Sequence, residues 1–371
     1  MPAMMVPLGE LCEIASGGTP RRSIIKYWEN GSIPWLKISD LVGKRISAAE
    51  ETITDTGLEN SSAKLFEPGT VLVSIFATIG VASILDIPAT TNQAIAGIKP
   101  FDCTKLSPEY LYYWIIAQKN KMAASGRGVA QNNINLSYLR SMQILLPDME
   151  RQQSIIAIFS KFDKLFESSK GQLQRLDDLV KSRFIEMFGD PNHSHSHNAV
   201  YLEDAFDVRD DLRKPLNSKT RSDMKAGELY PYYGANGIVD FINAFITDCD
   251  ALCFAEDCGS YGADEQSTYI VRGKAWVNNH AHFLLAKPCC ILEWANVYFY
   301  LLDIGKMISG TTRSKLTQAQ LKRIMVDLPP LALQQEFADF VAQVDKLRFE
   351  TQQQIEKLET LKKSLMQEYF G

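Results

Sequence analysis

The feature that most constrains this chain is a phrase it writes twice. Leu146 to Leu165 reads LPDMERQQSIIAIFSKFDKL, and 182 positions later Leu328 to Leu347 reads LPPLALQQEFADFVAQVDKL. Without gaps, Pro147 pairs with Pro329, Gln152-Gln153 with Gln334-Gln335, and Asp163-Lys164-Leu165 with Asp345-Lys346-Leu347. The match continues through Leu176/Leu358, Leu179/Leu361 and Lys181-Ser182/Lys363-Ser364 to Phe188-Gly189/Phe370-Gly371. A fixed internal period identifies repeated architecture before any single motif does. The 371 residues therefore form two tandem halves, 1–189 and 190–371, rather than one domain.

Within each copy the apolar residues step by three and four: Ile155, Phe159, Phe162, Phe166, Leu173, Leu176, Val180 and Met187, then Phe337, Val341, Val344, Ile355, Leu358, Leu365 and Tyr369. That spacing predicts a helical seam close to the 3.5 period of a coiled coil. Proline stands where each helix begins and glycine where it ends. Each copy is then one helix of roughly 38 residues, on the order of 57 Å long. A helix of that length cannot cover its seam on one compact domain, so its simplest partner is its twin. If the halves are related by a pseudo-two-fold axis, the two pair as an antiparallel coiled coil. Gly171 interrupts the first copy where Gln353 stands in the second, and is read as a tolerated flaw rather than a bend.

The segments before each helix differ in character. Short β-branched and aromatic runs broken by Gly, Pro, Asn and Asp, such as GTVLVSIFATIG, YPYYGANGIVDFI and KAWVNNHAHFLLAKP, predict α+β domains. The predicted division is a first globular domain at 1–147, a helix at 148–189, a polar linker at 190–198, a second globular domain at 199–328 and a helix at 329–371. VLVSIFATIG occupies the place of ALCFAEDCGSYG, and TTNQAIAGIKP that of VNNHAHFLLAKP, so the globular domains are themselves distantly repeated.

Net charge is -5, which disfavours a surface that is basic throughout. Two windows nevertheless lack any Asp or Glu: Tyr110–Pro147, with Lys119, Lys121, Arg127 and Arg140, and Ile304–Val326, with Lys306, Arg313, Lys315, Lys322 and Arg323. Both lie directly before the repeated phrase, which points to a shared anionic partner. The seven cysteines suit free thiols in a reducing cytoplasm. The N-terminal residues lack the pattern of a secretory leader, and no apolar run is long enough to span a bilayer. Cys249, Cys253 and Cys258, with His280, His282, Cys289 and Cys290, are soft ligands whose spacings suit no common zinc site. His193, His195 and His197 sit in a polar linker. No phosphate loop, methyltransferase glycine motif or nucleophile elbow stands out, which favours a binding protein over an enzyme.

The succession SGGTPRRSIIKYWENGSIPWLKISDL, a strand ending in ATIG, TNQAIAGI, SGRG and LPDMERQQSIIAIFSKFDKL resembles the specificity subunit of type I restriction-modification systems. YPYYGANGIVDFI, FAEDCGSYG, GKAWVNNHAHFL and SGTTRSKLTQAQL resemble a second recognition-domain type of that family. The resemblance implies two target recognition domains, each reading half of a bipartite asymmetric DNA site, on helices that act as a spacer. Two methylation subunits carrying S-adenosylmethionine would dock on those helices and flip the target adenine. Restriction subunits using ATP and Mg would join them, and this chain would bind no cofactor, carry no catalysis and work in the cytoplasm without a membrane.

Candidate DNA contacts in the first domain are Arg21, Arg22, Lys37 and Arg127, as phosphate or guanine ligands or as solvated surface. Asn92 and Gln93 suit adenine edges or an Asn-led turn, and Asn132 and Asn133 share that ambiguity. In the second domain Tyr233 and Asn236 lie in a glycine turn, where packing explains the tyrosine equally well. Asn278, Asn279 and His280 form a polar cluster, and Arg313 and Lys315 are the strongest phosphate candidates. Phe159, Phe162, Leu176, Val341, Val344 and Leu358 are candidate partner-docking positions on the helices. The rival reading is a coiled-coil adaptor whose two heads bind proteins.

Overall fold

The protein is described by a computed structural model that places residues 4–125, 133–193, 197–257, 259–308 and 315–371. It divides into two compact units, Met1–Ser168 with Gln354–Gly371, and Ser169–Gln353. These units do not follow the linear halves. Each contains one head, the start of the long helix that follows that head, and the end of the long helix belonging to the other repeat.

The heads share one topology. In the first, Cys12–Ser16, Ile95–Pro100, Val71–Ser74 and Ala82–Leu85 lie side by side in that order, all neighbours antiparallel, with Arg45–Ile46 added in parallel at the edge. In the second, Phe206–Val208, Ala281–Ala286, Ala251–Ala255 and Thr268–Val271 repeat the order. A smaller sheet accompanies each. Ile33–Leu36 pairs antiparallel with Glu51–Ile53 and parallel with Thr90–Thr91. Tyr230–Gly234 pairs antiparallel with Gly237–Ile242 and parallel with Lys274–Val277. A two-stranded ribbon, Met4–Pro7 with Gln143–Leu146 or Asn198–Tyr201 with Met325–Leu328, joins the start of each head to its end. The central strands are buried on both faces, as their unbroken apolar runs require, beneath the helices Pro108–Ser125 and Leu292–Leu301.

Met149–Phe188 and Leu331–Phe370 are helices of 40 residues each. At the end of the first, Gly189 takes φ +81°, a left-handed cap that glycine adopts without a Cβ penalty. Gly171 lies within unbroken helix, and a Cβ there would come no closer than 3.4 Å to Arg175 Nη1. In the first unit Phe159 stacks on Phe370 at 5.6 Å and Lys362 Nζ donates to Asp163 at 2.7 Å. In the second, Phe184 meets Phe337 edge-on at 5.3 Å and Arg348 bonds Asp177 at 2.5 Å. In both units residue numbers rise on one helix as they fall on the other, so the segments pair antiparallel.

The repeated phrase has a concrete task. Gln152 and Gln334 are both 0% exposed. Gln152 Nε2 donates to Lys105 O at 2.7 Å and to Pro147 O at 3.0 Å, while its Oε1 accepts the Ser107 N–H at 2.9 Å. Gln334 Nε2 donates to Cys289 O at 3.0 Å and Pro329 O at 2.9 Å, and its Oε1 accepts the Ile291 N–H at 2.9 Å. Each amide thus ties its long helix to the chain entering the head's own helix, and satisfies backbone groups that would otherwise be buried without partners.

Candidate nucleic-acid interface and docking helices

In each head an asparagine turn is bonded to the end of the smaller sheet in the same way. In the first head the Asn92 N–H donates to Leu36 O at 2.9 Å, and the Asn92 side-chain oxygen accepts the Ala94 N–H at 3.0 Å. In the second, the Asn278 N–H donates to Tyr233 O at 3.1 Å, and its side-chain oxygen accepts the His280 N–H at 2.8 Å. Both asparagines therefore build an Asx turn. The next residue, Gln93 or Asn279, faces outward. An isolated antiparallel bridge joins Phe76 to Asn133 in the first head and Asp257 to Lys315 in the second. Common backbone thus carries unlike side chains at matching places.

In the first head the frame reaches a cation platform. Gln93 Oε1 accepts the Thr19 hydroxyl at 2.5 Å, and the neighbouring Gly18 O accepts Trp35 Nε1–H at 3.0 Å. The Arg22 guanidinium lies 3.6 Å over Trp28 and 4.7 Å over Trp35. Arg22 and Lys37 both pair with Glu51, whose carboxyl is held below the usual carboxylate range by Arg22 first and Lys37 second. Lys37 also meets Glu50 at 3.4 Å. These two cations are therefore shared between internal carboxylates and any phosphate, whereas Arg21 is exposed.

In the second head the frame rests on a largely shielded charge network that sequence reasoning missed. Arg213 reaches Asp210 at 2.9 Å, Glu256 at 2.6 Å and Ala281 O at 2.9 Å. His282, 1% exposed, sets Nδ1 2.8 Å from Asp210 and Nε2 2.8 Å from Leu316 O, so both ring nitrogens face acceptors. Gln318 donates to Asp210 at 3.0 Å, and Lys315 pairs with Glu256 at 3.1 Å. The network thereby grips the chain at Lys315–Gln318. Burial is the largest influence on Asp210 and Glu256 and pushes both carboxyls up. His282 and Arg213 around Asp210, and Arg213 and Lys315 around Glu256, together outweigh it, so both settle below the usual range. The only sequence signal was the charge-dense run DVRDDLRKP, whose partners lie 43 to 108 positions away.

Several expectations need correction. Tyr233 is buried and stacks on Tyr269 at 5.3 Å, so it packs rather than faces a groove. Asn278 is buried and Asn92 half-buried, and in both the side-chain oxygen is used by its own turn. His280 Nδ1 lies 2.9 Å from Asp257, and Asn236 forms the exposed tip of the hairpin. Phe159, Phe162, Leu176, Val341 and Val344 are buried in the chain's own seams and Leu358 is half-buried, so they hold the scaffold together rather than receive a partner. Among the apolar residues the helices leave outside are Leu165 and Leu347, and Leu179 and Leu361, repeat-related pairs each 44% to 51% exposed, while Phe349, 63% exposed, Leu331 and Ile185 have no such counterpart. Arg127, Asn132, Arg313, Cys258 and His195 lie outside the described residues. Among the described ones no three His, Cys, Asp or Glu side chains gather as a metal site, and no helix is long and apolar enough to cross a membrane.

Two heads of one topology on shared antiparallel helices define a bivalent, modular scaffold. The family model of the type I restriction modification DNA specificity domain matches residues 2–178 and 199–360, so the chain belongs to that family. The type I restriction enzyme MjaIX specificity subunit of Methanocaldococcus jannaschii is 26% identical over 395 residues, spanning 96% of this chain and 90% of that protein. The EcoR124I/EcoR124II specificity subunit of Escherichia coli is 30% identical over 183 residues, covering 48% of this chain and 45% of its own. The fold matches the S subunit of a type I restriction-modification system from M. genitalium with TM-score 0.58 at 16% identity, over 100% of this chain and 96% of that one. A structure concerned with complex assembly and conformational transition of the type I R-M system matches with TM-score 0.61 at 15% identity, over 100% and 97%.

Proposed function

We propose that the chain is the non-catalytic DNA specificity subunit of a type I restriction-modification complex. Each head reads one half of a bipartite, asymmetric site, and the long helices set the distance between the halves. The observation that carries this reading is the common frame with unlike chemistry: Gln93 beside Phe76 and Asn133 in one head, Asn279 beside Asp257 and Lys315 in the other. Amide side chains projected by fixed turns suit base edges, and the flanking cations suit phosphates.

The partners follow from the helices. Leu165 with Leu347 and Leu179 with Leu361 offer matching apolar positions at the period of the repeat, which suits two copies of one methylation subunit. Those subunits would bring S-adenosylmethionine and the adenine chemistry, and restriction subunits would bring ATP and Mg-dependent cleavage. The test is to map modified bases in DNA from cells carrying the complete system. A two-part N6-methyladenine motif is expected, and its absence with all partner genes intact overturns the proposal. Gln93→Ala should then relax the motif in one half only and Asn279→Ala in the other.

A further inference from the structure

The hairpin Tyr230–Gly234/Gly237–Ile242 breaks the rule of alternation. Its register runs Tyr232 opposite Asp240 and then Tyr233 opposite Ile238, leaving Val239 as an extra, bulged residue. Consecutive residues of a strand should point to opposite faces, yet Ile238 is 51% and Val239 59% exposed. A bulge re-aims side chains, and bulges recur beside functional sites. Gly234 makes room for this one, because a Cβ there would lie 2.8 Å from Val239 Cγ1. The tip is also held firmly: Tyr269 donates its hydroxyl proton to Gly234 O at 2.6 Å, and the Asn278 N–H donates to Tyr233 O at 3.1 Å.

Two further facts bear on purpose. The strand Gly237–Ile242 is the outer edge of its sheet, where exposed apolar residues invite unwanted pairing and are ordinarily replaced by charge. The hairpin is also continuous with the Asn278–Asn279 turn, since the space beside Gly234 lies 3.8 Å from Asn278 Nδ2. The matching strand of the first head, Glu51–Ile53, carries the paired carboxylate of Glu51 instead. The Ile238 and Val239 side chains, next to the Asn236 tip and the Asn279 amide, offer no hydrogen bond, and the apolar feature a DNA groove offers is the thymine 5-methyl group in the major groove, which is wide enough for a two-stranded ribbon.

We infer that Ile238 and Val239 are specificity-determining residues of the second head and read thymine methyl groups in the second half-site. This rests on the function proposed above. The test uses the chain assembled with its methylation subunits and synthetic duplexes bearing the motif obtained from methylation mapping. Each thymine of either half-site is replaced in turn by deoxyuridine, which removes only the methyl. The wild-type complex should lose roughly fourfold in affinity at one or more second-half thymines, on the order of one buried methyl. The double variant Ile238→Ser/Val239→Ser, at exposed positions and without side-chain methyls, should bind thymine and uracil duplexes alike. A second half-site without an A·T pair, or an unchanged thymine preference in the variant, overturns the inference. So does loss of methylation subunits from the variant with no methyl effect in the wild type, which would make the hairpin a protein-docking surface. Failure to find any bipartite motif would instead defeat the underlying function.

Discussion

The first and second heads place the same backbone bridge at the same point, and fill it with opposite chemistry. Phe76 faces Asn133 in one and Asp257 faces Lys315 in the other. Behind the first lies an exposed cation stacked on two tryptophans, and behind the second a network with Arg213 and His282 largely out of solvent. Strand order, Asx turn and glutamine clasp are common to both. The difference teaches that the frame is an invariant support, while the groups it presents are free to diverge.

The largest expected effects test the frame. Phe188 belongs to the first repeat yet packs on Trp294 and Phe337 of the second unit, while Phe370 belongs to the second repeat and packs on Tyr110 and Phe159 of the first. Phe188→Ala should cost about 3–5 kcal/mol and speed hydrogen exchange in Ala251–Ala255, with Val71–Ser74 less affected; Phe370→Ala should do the reverse. Equal loosening of both heads by either change would refute the crossed assignment.

The charge sites should then separate the heads. Arg213→Met removes the guanidinium that pairs with both Asp210 and Glu256 and should destabilise the second unit by about 3 kcal/mol in urea titrations. Arg22→Met, at an exposed pair, should cost below about 1 kcal/mol. Acid should distinguish them in the same way. Asp210 and Glu256 have folded pKa values below their unfolded ones, so the stability they add is complete above the unfolded values near 4. It is lost as pH falls through the lower folded values. Exchange monitored from pH 5 downward should therefore show the second head opening before the first, and the reverse order would contradict the network's role.

A small effect of opposite sign concerns the helices. Gly171→Ala meets only the end of a flexible arginine, and should raise stability by about 1 kcal/mol without altering the methylated motif. A changed spacing between half-sites would show that Gly171 bends the spacer.

Much of the site was legible in part. The turn-forming asparagines and the acid-free windows could be read from the sequence, because Asn-led turns and charge bias are written locally. Which amide faces out was not legible: Asn92 and Gln93 are adjacent and chemically alike, and only the strand pairing that spends the Asn92 oxygen on its own turn decides between them. Tyr233 looked as available as Asn236 because a sequence cannot show Tyr269 beneath it. The docking residues were misplaced for a related reason. Periodicity finds the apolar face of a helix, and an antiparallel twin uses that face before any partner can.

The repeat, the two long helices and the α+β heads can all be read from residue order, since these depend on periodicity, proline and glycine placement and a self-similarity that survives any folding detail. Tertiary structure alone decided that each unit borrows the end of the other repeat's helix, that Gln152 and Gln334 are clasps, and that Arg213, Asp210, His282 and Glu256 form one network. Those outcomes join residues tens to hundreds of positions apart, and their energies come from burial and from paired charges that exist only once the chain has closed on itself.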